Sequence, residues 1–272
     1  MTDHITRAGL TMDLRALGLK SGDELVVHGS LSSLGRVEGG AETVVDALLD
    51  VAGDKGTVVA PTFTSGLAEE EPFDPEQTPS QTGAITEALR TREDAVRSEH
   101  PTHSVAAIGP SASSLTRNHA YDRSLGRNSP LHRLAKHGGQ ILLLGVGHDR
   151  NSSIHVAEAL ASLPYRTGTK EVQVLGDDGT ATTVDVSRVG CGRGFPVLEP
   201  VAERADLLTH GNVGQAPAQL MDGEDILRVA YELVKKKPGA LLCDDPDCWW
   251  CPEARAVLEA ESEKVGGEGQ ES

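Results

Sequence analysis

Three observations predict an α/β fold, an α/β/α sandwich with a central, mostly parallel sheet and an added antiparallel β element. Helix-like and strand-like segments alternate through the first half of the chain. Residues 140–146 (QILLLGV) are apolar throughout and bounded by Gly138, Gly139 and Gly147, as a strand covered on both faces must be. From Glu171 onward the texture changes to alternating residues around GDDG at 176–179, a hairpin signal.

In chain order, residues 6–17 have the spacing of an amphipathic helix, stopped by Gly18. Residues 24–27 (ELVV) form a short buried strand and open into a loop, 28–40. Residues 41–51 return to helical spacing and Gly53 closes them. Residues 57–60 (TVVA) are a second strand ending at Pro61, 85–90 a further helix, and 104–108 another strand. Short connections between strand, helix and strand favour parallel pairing with helices packed on the sheet. The segments 170–175 and 181–186 read as antiparallel strands appended to that sheet. Residues 1–264 are expected to form one domain. The Gly- and Glu-rich tail, 265–272, is expected to be disordered.

Composition narrows the function. Aromatics make up only 3% of 272 residues, so the core must be largely aliphatic. Lys and Arg number 25 against 41 Asp and Glu, a net charge of −16. Such a field repels nucleic-acid backbones and anionic lipid and attracts polycations, although the acidity could equally serve solubility. The N-terminus lacks the pattern of a secretory leader. No apolar run approaches the roughly 20 residues that span a bilayer. A cytoplasmic location is expected, with the four cysteines reduced.

Three segments after strand ends carry chemical residues, where open α/β sheets bind ligands. The loop 28–35 (HGSLSSLG) offers small residues and hydroxyls, so its backbone N–H groups could approach an anionic ligand. It matches neither the Walker nor the dinucleotide pattern, and alone it could be a plain loop. PTFT at 61–64 and EHPTHS at 99–104 follow at later strand ends. The sharpest segment is GVGHDRNSSIHVAE, 145–158: a buried strand, a Gly-rich turn, then a helix that Asn151 or Ser152 can cap. His155 and Glu158, three apart, share a helix face. A carboxylate neighbour raises imidazole basicity and fixes its tautomer, as a general base for an ammonium nucleophile requires. By itself the segment reads more readily as a surface His–Glu pair.

LVVHGSLSSLG, APTFT, EPFDP, SEHPTHSVAAIGP, SPLHRL and ILLLGVGHDRNSSIHVAE occur in the order seen in aminoglycoside 3-N-acetyltransferases. The chain resembles that family from about Leu10 to the C-terminal cysteines. The resemblance implies the antibiotic N-acetyltransferase type of α/β/α fold and acetyl-CoA as co-substrate. It further implies N-acetylation of an aminoglycoside on the 3-amino group of 2-deoxystreptamine. Ser30, Leu31, Ser32 and Ser33 would hold the CoA pyrophosphate and pantetheine, with Thr64, His103 and Ser104 further along the arm. His155 would be the general base and Glu158 its orienting carboxylate. Transfer would be direct, with backbone N–H groups stabilising the oxyanion.

For the acceptor, the acidic stretch 69–74 (EEEPFD) supplies Glu70, Glu71 and Asp74, and Glu199 is a further candidate. Carboxylates bind ammonium groups through charge-assisted hydrogen bonds, but an acidic surface loop is as common. The expected partner is a small cationic aminocyclitol or aminoglycoside, with no nucleic acid and no membrane, the chain acting as monomer or homodimer. One departure concerns residues 187–191 (SRVGC). Some relatives carry acidic residues and a histidine there, where this chain has Arg188 and Val189, which puts the acceptor in question.

The cysteines Cys191, Cys243, Cys248 and Cys251 combine a CxxC pair with two further thiols, enough for a tetrahedral structural zinc. Comparable positions occur in some relatives. Ordinary buried cysteines and a redox CxxC are the alternatives. Two rival functions remain open: a biosynthetic amine N-acyltransferase of the same fold using acyl-CoA or an acyl-carrier protein, and a non-enzymatic protein that sequesters a cationic drug.

Overall fold

The computed structural model describes residues 4–64, 66, 71–176 and 178–268, with side chains as far as 264. Nine strands are described: β1 (Glu24–Gly29), β2 (Thr57–Pro61), β3 (Val96–Arg97), β4 (Val105–Ile108), β5 (Gln140–Leu144), β6 (Thr169–Leu175), β7 (Ala181–Ser187), β8 (Thr209–Val213) and β9 (Ala216–Asp222). The helices are α1 (Arg7–Leu17), α2 (Ala41–Ala52), α3 (Ala84–Arg90), α4 (Ala112–Thr116), α5 (Pro130–Lys136), α6 (Ile154–Leu160), α7 (Glu199–Arg204), α8 (Gly223–Lys236) and α9 (Cys251–Glu268).

Seven strands make one sheet in the order β3-β4-β2-β1-β5-β9-β8. β1 pairs in parallel with β2 and β5, while β4 and β9 run antiparallel to their neighbours. β3 and β8 reverse again, so five of the seven strands point the same way. Alternate side chains serve two cores. Leu25, Val27, Leu142 and Leu144 pack under α1, α2 and α3. Val26, Ile141, Leu143 and Met221 pack under α4, α5, α6 and α8 on the other face. The expected sandwich is therefore present, its cores mainly aliphatic. Truncating a wholly buried strand residue such as Leu143 to Ala would cost about 2–5 kcal/mol.

Local signals hold where they are strongest. Thr6 caps α1, its side chain accepting from Gly9 N, and Gly18 closes the helix at φ +119, where a side chain would be strained. The hairpin β6–β7 forms as expected, but as a separate two-stranded sheet. The antiparallel additions to the main sheet are instead β3, β4, β8 and β9. The tail expected to be disordered falls on positions whose side chains, and beyond 268 whose backbone, lie outside the described residues. Among the described residues, no helix is long and apolar enough to cross a membrane.

Candidate active site

The carboxyl ends of β1, β2 and β5 open together onto a cleft of about 960 Å³. Two loops make its floor. After β5, Gly145 turns the chain at φ +66, and a Cβ there would collide with Ser33. Ser33 Oγ donates to Gly145 O at 3.1 Å, and Ser30 N donates to Leu144 O at 2.9 Å, so the two loops are tied. Ser30, Leu31 and Ser32 line the cleft; Ser33 lies beneath as the tie. Residues 31–34 form a 3-10 turn, which compacts the loop without a Gly-rich phosphate motif.

The loop after β5 leads into α6. Its N-cap is Ser153, which makes no side-chain cap bond; Asn151 instead accepts from Ser153 N through Oδ1 at 3.3 Å. The expected cap by Asn151 or Ser152 is thus replaced by an Asx turn, a local bond that competes with capping. One turn on, His155 Nδ1 and Glu158 Oε2 are 2.6 Å apart, and both residues are buried. Tyr165 donates its hydroxyl to Glu158 Oε1 at 3.0 Å. The Phe195 ring meets the imidazole edge-on at 4.6 Å. His155 lines the cleft, and with Nδ1 engaged its free nitrogen is Nε2.

Burial pulls the His155 pKa below its ordinary value, against Glu158, which raises it; Arg166 adds a smaller downward pull. The net direction is therefore opposite to the basicity expected from Glu158 alone, because desolvation of the imidazolium outweighs the ion pair. A neutral, acceptor-ready imidazole results. Histidines crowd this end of the sheet, and six of the ten in the chain are buried. Burial takes His28 down to about 3 and His119 to about 4.

His103 also lines the cleft, with Phe63 packed on its ring at 4.8 Å. Thr64 and Ser104 do not line it. Thr64 bonds to the Pro101 carbonyl, and Ser104 Oγ donates to Thr62 O at 2.8 Å. Both are fully buried and serve as struts behind the wall.

The acidic candidates lie elsewhere. Glu70 is outside the described residues. Glu71 is exposed, Asp74 accepts from Glu76 N and Gln77 N in a turn, and Glu199 accepts from Gln219 Nε2 at 2.5 Å. None of these three lines the cleft; among the described residues, the carboxylate that does is Asp149. Asp149 stands in the motif segment, but nothing in the sequence singles it out. Tyr165 and Arg166 escape sequence reasoning too, since nothing local marks PYR at 164–166 as reaching back to α6.

Val189, Gly190, Gly192 and Phe195 line the cleft together with His155, so the divergent stretch forms part of its wall. Behind this wall, all four cysteines are buried and their Sγ atoms lie within 4.8 Å of one another. Gly190 stands against the Trp250 indole, leaving no room for a Cβ.

A three-layer α/β enzyme with a buried imidazole–carboxylate pair at the strand ends is the class that fold and site define. The sequence profile of the aminoglycoside 3-N-acetyltransferases matches residues 26–235, and the chain belongs to that family. The aminoglycoside N(3)-acetyltransferase III of Serratia marcescens is 35% identical over 266 residues, covering 86% of this chain and 99% of the relative. A crystal structure of aminoglycoside acetyltransferase AAC(3)-IVa, a histidine-to-alanine mutant in complex with a gentamicin, superposes with a TM-score of 0.86 at 32% identity. It covers 94% of this chain and 99% of the other. AAC-IIIb in binary complex with CoASH gives a TM-score of 0.78 at 28% identity, covering 86% and 98%. The fold and enzyme class implied by the sequence resemblance are both borne out.

Proposed function

We propose that the chain transfers the acetyl group of acetyl-CoA directly to the 3-amino group of a 2-deoxystreptamine aminoglycoside, with His155 as general base. The observation that carries this is the buried His155–Glu158 pair opening onto the same cleft as Ser30, Leu31 and Ser32. Glu158 accepts the Nδ1 proton and leaves Nε2 as acceptor, and Tyr165 holds the carboxylate in place. The pantetheine thioester lies along Ser30, Leu31, Ser32 and His103, with Ser33, Thr64 and Ser104 bracing the loops beneath. The neutral amine attacks the thioester carbon while Nε2 takes its proton. Asp149, which pairs with Arg150 at 3.3 Å, is the cleft carboxylate that would hold an acceptor ammonium. Glu70, Glu71, Asp74 and Glu199 add to the negative field that draws a polycation. A pool of acetyl-CoA places the reaction in the cytoplasm.

The four thiols fit a structural zinc. Zinc–thiolate bonds of about 2.3 Å in a tetrahedron put sulfurs roughly 3.8 Å apart, within the span observed. Backbone N–H groups already point at them: Arg193 N on Cys191 Sγ at 3.3 Å and Cys243 N on Cys251 Sγ at 3.3 Å, as bonds that support thiolates do. Cys191, Cys243, Cys248 and Cys251 would hold the ion, which supplies no chemistry to the transfer and fastens the wall to the C-terminal helix.

Release of CoA with acetyl-CoA and apramycin, gentamicin or kanamycin tests the reaction, and product NMR places the acetyl group. Turnover with any of them is expected. Turnover with none, while calorimetry still shows acetyl-CoA binding, would move the acceptor to a different amine, with Arg188 and Val189 the first residues to revert.

A further inference from the structure

The thioester oxygen needs a donor as the tetrahedral intermediate forms, and one imidazole of the cleft is wired to be that donor. His100 Nδ1 accepts from two backbone N–H groups, Thr102 N at 3.2 Å and His103 N at 3.1 Å. Its in-plane lone pair is therefore taken. The Thr102 hydroxyl stands 3.4 Å from that occupied nitrogen and 2.8 Å from His103 Nδ1. Its hydrogen goes to the nearer, unoccupied acceptor. His103 must then carry its own proton on Nε2, the nitrogen left for the cleft that His103 lines.

We propose that His103 is a catalytic residue whose Nε2–H donates to the thioester carbonyl oxygen and stabilises the oxyanion, while Thr102 and His100 fix its tautomer. This rests on the acetyl-CoA reading of the cleft. Burial, together with the neighbouring His100 and His155, holds the His103 pKa well below the ordinary histidine value. The ring is thus a neutral donor that does not give its proton away, the mode in which a neutral imidazole polarises a carbonyl. Phe63 packed against the ring keeps its plane fixed.

His155 and His103 divide the work. The amine nitrogen forms its bond to the carbonyl carbon, and the π pair moves onto the oxygen facing His103 Nε2–H. His155 Nε2 takes the amine proton. When the intermediate collapses, the oxygen pair re-forms C=O, the C–S bond breaks with its pair on sulfur, and the proton on His155 passes to the thiolate. Amide and CoA thiol are released and both imidazoles regain their starting protonation. Backbone N–H groups alone were the expectation from the family resemblance; a side-chain donor is what the hydrogen-bond chain through residues 100–103 adds.

The test uses the ketone analogue of acetyl-CoA in which a methylene separates sulfur from the carbonyl, labelled with ¹³C at that carbon. Bound to the wild-type protein, the carbonyl should show a lowered infrared stretch and a downfield ¹³C shift relative to water. His103→Leu should lose both while the analogue's Kd, by calorimetry, stays within about threefold. His103→Gln, which carries an N–H near the Nε2 position, should recover part of the shift. In turnover, His103→Leu should lower kcat by on the order of 10²–10³ with the KM for acetyl-CoA little changed and the acidic limb of the pH profile unmoved. An unchanged carbonyl signal in a His103→Leu protein that still binds the analogue overturns the proposal. If His103→Leu does not fold, His103→Asn, too short to reach the carbonyl, takes its place under the same criteria. Failure of the wild type to bind the analogue overturns the donor reading, and the proposal with it.

Discussion

The imidazole-rich end of the sheet and the thiol-rich knuckle behind it are built on opposite plans. The imidazole–carboxylate pair is local: His155 and Glu158 lie three residues apart on one helix, and the fold's task is to bury them and bring Tyr165 to Glu158. The thiol cluster is non-local: Cys191 comes from the cleft wall and the other three from the turn that enters α9 and its first residue. Desolvation sets the protonation of the first region, holding its histidines neutral. The second is a packing problem, in which four sulfurs from separate segments are brought within 4.8 Å of one another. Changes at His155 and Glu158 should therefore weigh mainly on rate, and changes in the second region mainly on stability.

The largest expected effect comes from breaking the proposed catalytic pair. His155→Ala should lower kcat by on the order of 10²–10⁴ while acetyl-CoA still binds by calorimetry. Glu158→Gln should come close to it, because the amide can donate to Nδ1 and force the proton onto Nε2, the wrong tautomer for a base. Wild-type turnover in either variant would remove His155 as base. Thermal midpoints of both should stay close to wild type if the two regions are as separate as their construction implies.

Next in size comes the knuckle. Protein purified without chelator should carry near-stoichiometric zinc by elemental analysis, and its absence would sink the metal assignment. Stripping the metal, or Cys248→Ser, should cost a few kcal/mol, which for a chain of this size lowers the thermal midpoint by on the order of 10 °C. The kcat of metal-depleted protein that remains folded should stay within a few-fold of wild type; a collapse on the scale of His155→Ala would merge the two regions into one.

A smaller effect separates them by acid. His28 ionises at about 3 in the folded chain against 6.5 when unfolded, so the unfolded chain binds the proton first as pH falls. Stability is full above pH 6.5 and declines toward about pH 3. The loss from His28 at pH 5 is about 2 kcal/mol. His119, lowered to about 4 by burial, acts in the same direction. Unfolding free energies from urea titrations at pH 7.5 and pH 5, measured with zinc present, should differ by at least the His28 contribution, since the other buried histidines act in the same direction, and His28→Gln should narrow the gap. An unchanged gap in His28→Gln would show that His28 is accessible to protons in the folded state.

The same contrast explains what was legible in the sequence. β1, β2 and β5, with α1, α2 and α3, follow from local periodicity, and the His155–Glu158 pair follows from helical spacing. Strand direction does not. β4 and β9 are antiparallel because of where the chain re-enters the sheet, a choice made by packing among residues distant in sequence. Tyr165 and Arg166 reach the pair around a turn after α6, with no local pattern to announce them. Thr64 and Ser104 belong to the right loops, yet their hydroxyls are consumed by backbone carbonyls, because a buried donor must be satisfied before it can serve a ligand. Cysteine spacing announces a cluster of thiols; the packing of Gly190 on Trp250, which no spacing shows, delivers Cys191 to it.

That last contact has a spectroscopic consequence. Both tryptophans of the chain, Trp249 and Trp250, lie in this one corner, Trp250 buried and Trp249 largely exposed, with their rings 5.6 Å apart. Tryptophan emission, excited selectively over the three tyrosines, is therefore a label that nature has already attached to the knuckle and to nothing else. A melting curve followed by fluorescence will time the opening of that corner, whereas far-ultraviolet dichroism will time the loss of the helices and sheet. The interval between the two curves measures how far the C-terminal clasp can loosen before the rest of the enzyme lets go.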